Sequence, residues 1–294
     1  MMQKCQDGYY VTFSSLLSLE DYNKEQEAHT KWTRCPVNAL KVNALDKASP
    51  LYVNTSAFAS EVTSDAIEDT TENLGLAMEV DGKNYPIRDT AYKSLLDRAK
   101  ISGNSLAKLE RKVLAKVLNS CYKLYSADAL LLIRDEKVSA VHSGDASDYS
   151  ILPIPELLDA LKTRLDARFP GNNFVTGYAD HSFTSAEWTM PAQKEDLLGA
   201  YAKVLAAQGK GTFASKIVPG IRFITSDTGV ASAKVSALLV GGQYPIHIGG
   251  CVAVDHRHQS KIADFDASLD QLFAQFGDSV AKLQKLMEVT LSYP

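Results

Sequence analysis

The stretch ALLLIRDEKVSAVH, residues 129–142, predicts a β-hairpin at the centre of the chain. Two apolar runs, 129–134 and 137–142, flank the polar pair Asp135-Glu136, which is the pattern of two strands joined by a tight turn. Strands joined in this way pair antiparallel, because a parallel pair needs a long crossover connection. The hairpin therefore predicts an antiparallel sheet.

Strand-like and helix-like segments continue on both sides of the hairpin. Consecutive strands joined by short turns, with helices inserted in groups, indicate an α+β fold with a mostly antiparallel sheet and a central helical hairpin. Residues 54–73 are rich in Ser, Thr, Asp and Glu, and this composition predicts a surface loop. Strands are predicted at 9–13, 76–80, 173–178, 183–190, 221–225, 233–240 and 246–254, and helices from Pro155, from Pro191 and over 265–287.

Length and composition limit the classes of protein that are open to this chain. Its 294 residues, 45% hydrophobic and 22% charged, are typical of a globular protein. We expect a strand and loop region at 1–80 that packs on an α+β core at 81–294, within a chain short enough to be a single domain. The apolar runs have only the length of strands, so no membrane association is expected. The polar start and four widely spaced cysteines predict a cytoplasmic protein without disulfides.

The net charge of −4 is distributed unevenly along the chain. Residues 1–80 carry 6 Lys/Arg and 12 Asp/Glu, residues 81–140 carry 12 and 7, and residues 141–294 carry 13 and 16. The middle segment therefore has a net charge of +5 inside an otherwise acidic chain. A local excess of cations attracts anions, which makes nucleic acid a candidate partner.

Residues 95–109, LLDRAKISGNSLAKL, resemble a helix-turn-helix: an Ala in the first helix, a short turn with a Gly, and a second helix with an apolar face. The second helix is predicted to begin at 104 or 105. An ordinary helical hairpin with a solvated lysine face gives the same pattern and is the more frequent cause of it. On the DNA-binding hypothesis, phosphates contact the opposite face of the second helix together with cations of the sheet, namely Lys108, Arg111, Lys112, Lys116, Arg134, Lys137, Arg222 and Lys234.

Two further motifs carry alternative chemistry. His256 and His258 lie two residues apart in a strand-like segment, where both can face one divalent metal ion, with Asp255 as a further ligand. A polar strand end explains the same residues without a metal, and the DNA-binding hypothesis needs no cofactor and no catalytic residue. Ser226-Asp227-Thr228-Gly229 matches one half of an aspartic protease site, but that chemistry needs two such carboxylates. We therefore interpret it as a β-turn.

Two segments resemble the phage- and plasmid-like proteins catalogued as domain of unknown function 932. Residues 131–161 share an Arg, a short turn and a hairpin that precedes a Tyr and a helix, carried here by Arg134, Ala140, Ser143 and Tyr149. Residues 220–242 share a strand and turn with Gly220, Phe223, Ser226, Asp227 and Gly229. The resemblance implies a gene of a mobile genetic element, but it supplies no activity and no site residues.

These observations favour an accessory protein that binds nucleic acid, as in single-stranded DNA binding or annealing during recombination or transfer. Such a protein can act as a homo-oligomer. The alternatives are a metal-dependent enzyme that uses the His256 and His258 cluster, and an interaction protein that blocks a host defence system.

Overall fold

A computed structural model describes residues 3–145, 149–241, 245–256 and 259–288. It confirms the predicted α+β class and the antiparallel pairing of the strands. The strands are β1 (Tyr10–Phe13), β2 (Lys31–Pro36), β3 (Lys41–Ala44), β4 (Leu76–Val80), β5 (Lys83–Pro86), β6 (Asp128–Arg134), β7 (Lys137–Ser143), β8 (Asn173–Asp180), β9 (Thr184–Thr189), β10 (Val218–Thr225), β11 (Ala233–Val240) and β12 (Ile246–Val254). The α-helices are α1 (Leu16–Ala28), α2 (Pro50–Val53), α3 (Ser64–Glu72), α4 (Tyr92–Ala99), α5 (Arg111–Tyr122), α6 (Ile154–Arg168), α7 (Lys194–Ala207), α8 (Gly211–Lys216) and α9 (Ile262–Glu288).

A six-stranded antiparallel sheet, in the order β1-β8-β9-β10-β11-β12, organises the C-terminal half. Strand β9 alternates as a half-buried strand must: Ala186 and Trp188 enter the core, whereas Ser185 and Glu187 lie on the other face. Helices α1, α6, α7 and α9 contribute to that same core. In α6, Leu157, Leu161 and Leu165 repeat at helical spacing and are fully buried, which stabilises the fold by about 2 kcal/mol for each side chain. The opposite face of the sheet, called the outer face below, does not contribute to this core.

The predicted hairpin, β6–β7, lies in a second core together with helices α4 and α5. It belongs to a three-stranded sheet in the order β2-β6-β7, next to another in the order β3-β4-β5. Its turn residues Asp135 and Glu136 both have positive φ (47° and 70°), as a two-residue type I′ turn requires. From Ala129 onward the residues of β6 are buried, because both faces of this strand are covered.

The connection between α4 and α5 contradicts the helix-turn-helix alternative and agrees with the ordinary helical hairpin. The first helix ends at Ala99 with Lys100 in the left-handed conformation (φ 54°), and the second begins at Arg111, not at 104 or 105. Residues 100–110 lie between them and include a 3-10 turn at Asn104–Lys108. A helix-turn-helix connects its helices by three or four residues, and this connection is longer. Helices α4 and α5 therefore form an ordinary helical pair. Lys108 therefore precedes α5.

One other expectation for the N-terminal part was wrong, and one helix was missed. Residues 54–73 are not a loop, because helix α3 occupies 64–72 and buries Ala66 and Ile67. Helix α1 was not predicted at all, since its apolar residues have little helical periodicity and it buries two polar side chains, Asn23 and Gln26. The predicted domain boundary at 80/81 falls in the turn of the β4–β5 hairpin, inside the second core.

No helix within the described ranges is long and apolar enough to cross a membrane. The four cysteines are free.

Candidate functional site

The cations of helix α5 separate into an exposed row and one half-buried side chain. Lys112, Lys116 and Lys123 follow one another at helical spacing and are exposed, and Lys108 is exposed in the turn before the helix. Together these four residues are called the lysine row below. None of them makes an ion pair with another described residue. The opposite side of α5 buries Leu114, Ala115, Leu118 and Tyr122.

Arg111 does not belong to that row. It is half-buried, its Nη2 donates to the carbonyl oxygen of Asn73 at 2.7 Å, and its side chain crosses directly over Gly75. At Gly75 a Cβ atom would lie 2.7 Å from the Nε of Arg111, and φ is +66°, so this position requires glycine. Arg111 therefore holds the start of α5 against the end of α3.

Two of the predicted DNA contacts, Arg134 and Lys137, are buried and ion-paired. The Nη2 of Arg134 donates to Asp227 Oδ2 at 2.6 Å, and its Nε donates to Thr30 Oγ1 at 2.7 Å. The Nζ of Lys137, whose side chain is 0% exposed, donates to Asp7 Oδ1 at 2.9 Å and Asp69 Oδ2 at 2.5 Å. A buried charge is retained because it is paired in this way. Neither side chain can reach a phosphate, which corrects the prediction.

The remaining two cations, Arg222 and Lys234, lie on the outer face of the six-stranded sheet. Both are partly exposed. Arg222 stands opposite Glu187 in the β9–β10 register, and its Nε donates to Glu187 Oε1 at 2.5 Å. Lys234 stands opposite Ile224 in the β10–β11 register. The eight predicted cations are therefore divided between helix α5 with the turn before it, a sheet face and the interior.

A polar cluster fills the junction between the two cores. The turn after β10 supplies Asp227, which is 4% exposed and receives Arg134 from the end of β6. The carbonyl oxygen of Asp227 lies 2.7 Å from His142 Nε2 and accepts from the Tyr149 hydroxyl at 3.0 Å. The rings of His142 and Tyr149 stack at 3.8 Å, and that of His256 follows at 5.5 Å from Tyr149. We call Arg134, His142, Tyr149, Asp227 and His256 the junction cluster.

Burial determines the protonation of the junction cluster. It lowers the pKa of His142 from 6.5 to about 4 and also lowers the pKa of His256, while it raises the pKa of Tyr149 well above 10. Both histidines are therefore neutral at pH 7, and Tyr149 remains a hydrogen-bond donor. The cluster connects two halves of the molecule through neutral rings and one ion pair.

The turn prediction for 226–229 is confirmed. The hydroxyl of Ser226 accepts from the Thr228 and Val230 amides, at 3.2 and 3.3 Å, and Gly229 has a φ of +79°. Asp227 does not cap this turn, because its side chain pairs with Arg134. The segments that carry the family resemblance thus meet at one point in space.

The metal-binding alternative concerns Asp255, His256 and His258. His258 lies outside the described residues. The ring nitrogens of His256 are each 3.3 Å from a protein oxygen, Nε2 from Thr225 Oγ1 and Nδ1 from the Ser150 carbonyl. Asp255 is exposed and accepts from Ser232 Oγ. Within the part of the chain that the structure describes, no group of three His, Cys, Asp or Glu side chains is arranged to hold a metal ion.

Sequence reasoning missed a second fully buried cation, Arg88. Its side chain is 0% exposed, its Nη1 lies 3.3 Å from Asp7 Oδ1, and both terminal nitrogens point at backbone carbonyls of residues 4–6. Asp7 thus joins Arg88 and Lys137 and fastens the N-terminal segment to the second core. No local signal predicts this, because the paired residues lie 81 and 130 positions apart in the sequence.

Comparisons with protein-family models, with curated proteins and with solved structures found no match to this chain. The resemblance to domain of unknown function 932 therefore stays a prediction, and functional inference depends on the geometry above.

Proposed function

We propose that this protein binds nucleic acid non-enzymatically, with the lysine row as its electrostatic contact. The observation that supports this most directly is the exposure of four lysines without a carboxylate partner among the described residues. Lys112 and Lys116 are one turn apart, about 6 Å along the helix, and Lys123 continues the row. Cations in such a line can follow a phosphate backbone.

The rest of the chain limits the strength of this binding. Residues outside 81–140 carry a net negative charge, so attraction is confined to one region. Binding by released counterions gives a slope of log K against log salt of about −0.7 per phosphate contact on a single strand. Four contacts predict a slope of about −3, and hence about 60-fold weaker binding at 200 mM than at 50 mM salt. From this charge distribution and the resemblance, we infer that the protein is an accessory protein of a mobile element and that it binds or anneals single-stranded DNA.

The test is a fluorescence anisotropy titration of a labelled oligothymidylate, and of a duplex, over a range of salt concentrations. In the variant that combines Lys112→Gln and Lys116→Gln, two contacts are lost. The single-strand slope should then fall from about −3 to about −1.4. The matched control combines Lys203→Gln, within α7, and Lys210→Gln, shortly after it. Both lysines are exposed, and this variant should retain the wild-type slope.

Two outcomes would contradict the proposal. One is wild-type protein that binds neither oligonucleotide at 50 mM salt. The other is binding that is unaffected by the lysine-row substitutions or does not weaken as salt rises.

A further inference from the structure

The outer face of the six-stranded sheet displays an exposed aromatic ring. Val11 and Phe13 belong to the core side of β1, so strand alternation directs Tyr10 to the outer face, where it is 59% exposed. An exposed ring of this kind presents a flat π-face on which a nucleic-acid base can stack. The ring lies on the edge strand of the sheet, where a ligand can approach it.

Tyr10 is supported from one side by two further rings. It stacks on Tyr178 of β8 with centroids 5.9 Å apart and an angle of 17°, and Tyr178 stacks on Phe183 at 5.2 Å and 27°. The Tyr178 hydroxyl donates to Asp180 Oδ2 at 2.8 Å, which fixes the middle ring. This ladder holds Tyr10 in one orientation and leaves its other flat side without a ring partner among the described residues.

The same face carries the sheet cations. In the register, Tyr178 stands opposite Ser185, Ser185 opposite Ile224, and Ile224 opposite Lys234. Residues opposite one another share a face, so Lys234 lies three strands from Tyr178, about 14 Å at the usual strand spacing. One row of the sheet thus combines aromatic rings at one end with a cation at the other.

The acidic residues of this face are engaged in local bonds. Asp180 Oδ1 accepts from the Ser182 amide, the Ser182 hydroxyl and the Phe183 amide, at 2.6, 2.6 and 3.0 Å. Glu187 is paired with Arg222. These bonds reduce the repulsion that the two carboxylates would exert on a phosphate, and Lys234 remains without an ion pair among the described residues.

We propose that the Tyr10–Tyr178 ladder is a stacking platform for the unpaired bases of single-stranded DNA, with Lys234 as a phosphate contact. This inference rests on the proposed function and assigns a second, base-contacting surface to it. Aromatic rings accept any base by stacking, which gives sequence-tolerant binding of single strands. A duplex keeps its bases paired and stacked, so it cannot use such a platform.

The test compares Tyr10→Ala with wild type on an oligothymidylate of about 20 nucleotides and on a duplex of the same length. Loss of one stacking ring should weaken single-strand binding about tenfold and leave duplex binding within about twofold. Tyr10→Phe keeps the ring and should bind like wild type. Leu17→Ala, which changes a side chain of α1 that is as exposed as Tyr10, should have no effect on either ligand.

The lysine-row variant separates this inference from the proposed function, because it should weaken the binding of single strands and of duplexes alike. Unchanged single-strand binding by Tyr10→Ala, in protein whose binding depends on the lysine row, overturns the stacking platform alone. Wild-type protein that binds neither ligand overturns both. If Tyr10→Ala does not fold, photocrosslinking of wild type to 5-iodouracil-substituted single strands decides: a crosslink at Tyr10 or Tyr178 supports the platform, and crosslinks only elsewhere overturn it.

Discussion

Helix α5 and the turn end of the hairpin β6–β7 both lie in the basic segment 81–140, yet they use their cations in opposite ways. The helix presents Lys112 and Lys116 to solvent, whereas the hairpin buries Arg134 and Lys137 against aspartates. The carboxylates that neutralise the hairpin come from outside the basic segment, from residues 7, 69 and 227. A net charge counted along a sequence therefore overstates the charge that the folded surface presents.

The difference has a physical cause in the two kinds of secondary structure. An exposed helix separates its polar and apolar faces, so its cations remain in water at little energetic cost. A strand covered on both faces has no solvent side, so any cation at its end must find a partner. The same residue type thus has an electrostatic role on α5 and a structural role at the junction.

The largest effect is expected from Lys137→Met. This change leaves Asp7 and Asp69 without their shared cation, and breaking a buried ion pair from one side costs about 3–5 kcal/mol. Urea unfolding followed by circular dichroism measures the loss in the free energy of unfolding. A loss below about 1 kcal/mol would show that Lys137 is not buried and paired as described.

An intermediate effect is expected from acidification, through His142. Its pKa is about 4 in the folded state and about 6.5 when unfolded, so below pH 6.5 the unfolded state binds the proton first. The contribution of His142 to the free energy of unfolding is therefore fully present above about pH 6.5. It decreases as the pH falls towards 4 and levels off below that, with a total loss of about 3 kcal/mol. His181, whose pKa burial lowers to about 2, acts in the same direction.

Unfolding free energies of wild type and His142→Gln, measured between pH 7 and pH 4, isolate the contribution of His142. The variant should lose less stability over this range than wild type. His29→Gln, which changes an exposed histidine outside the junction cluster, is the matched control. Equal slopes for wild type and His142→Gln would contradict a buried neutral imidazole at the junction.

The smallest effect on stability is expected from Lys116→Met, the exposed counterpart of Lys137→Met. Surface substitutions away from buried features usually change stability by no more than about 0.5 kcal/mol. The same urea titration measures it. A loss comparable to that of Lys137→Met would mean that the lysine row has a structural role and would remove the contrast between the two regions.

Much of the fold could be predicted from local patterns. The continuous apolar run of β6, the alternation in β9 and the leucine spacing of α6 each specify an element through side chains a few residues apart. The polar helix α1 could not be found in this way, because it buries Asn23 and Gln26, and Asn23 accepts a hydrogen bond from Thr184, 161 positions away in the sequence. The start of α5 was misplaced because 104–108 has helical composition but forms a 3-10 turn.

The same distinction between local and distant interactions applies to the candidate sites. Lys112 and Lys116 were predicted as neighbours because their spacing is a property of one helix. Arg134, Lys137, Arg222 and Lys234 were chosen by charge alone, and whether each is exposed depends on residues such as Asp7, Glu187 and Asp227 that pairing of distant strands brings near. The ladder from Tyr10 to Phe183 has no sequence signal, because β1 and β8 are more than 150 residues apart.

The sequence by itself determined the α+β class, the β6–β7 hairpin and the amphipathic character of α5, since each follows from interactions between residues close together in the chain. Only the tertiary structure decided which cations face solvent, where the junction cluster forms and which side of the six-stranded sheet is open. Those properties arise from pairing and burial between segments far apart in the chain, and burial fixes both the partner and the protonation state of a charged group.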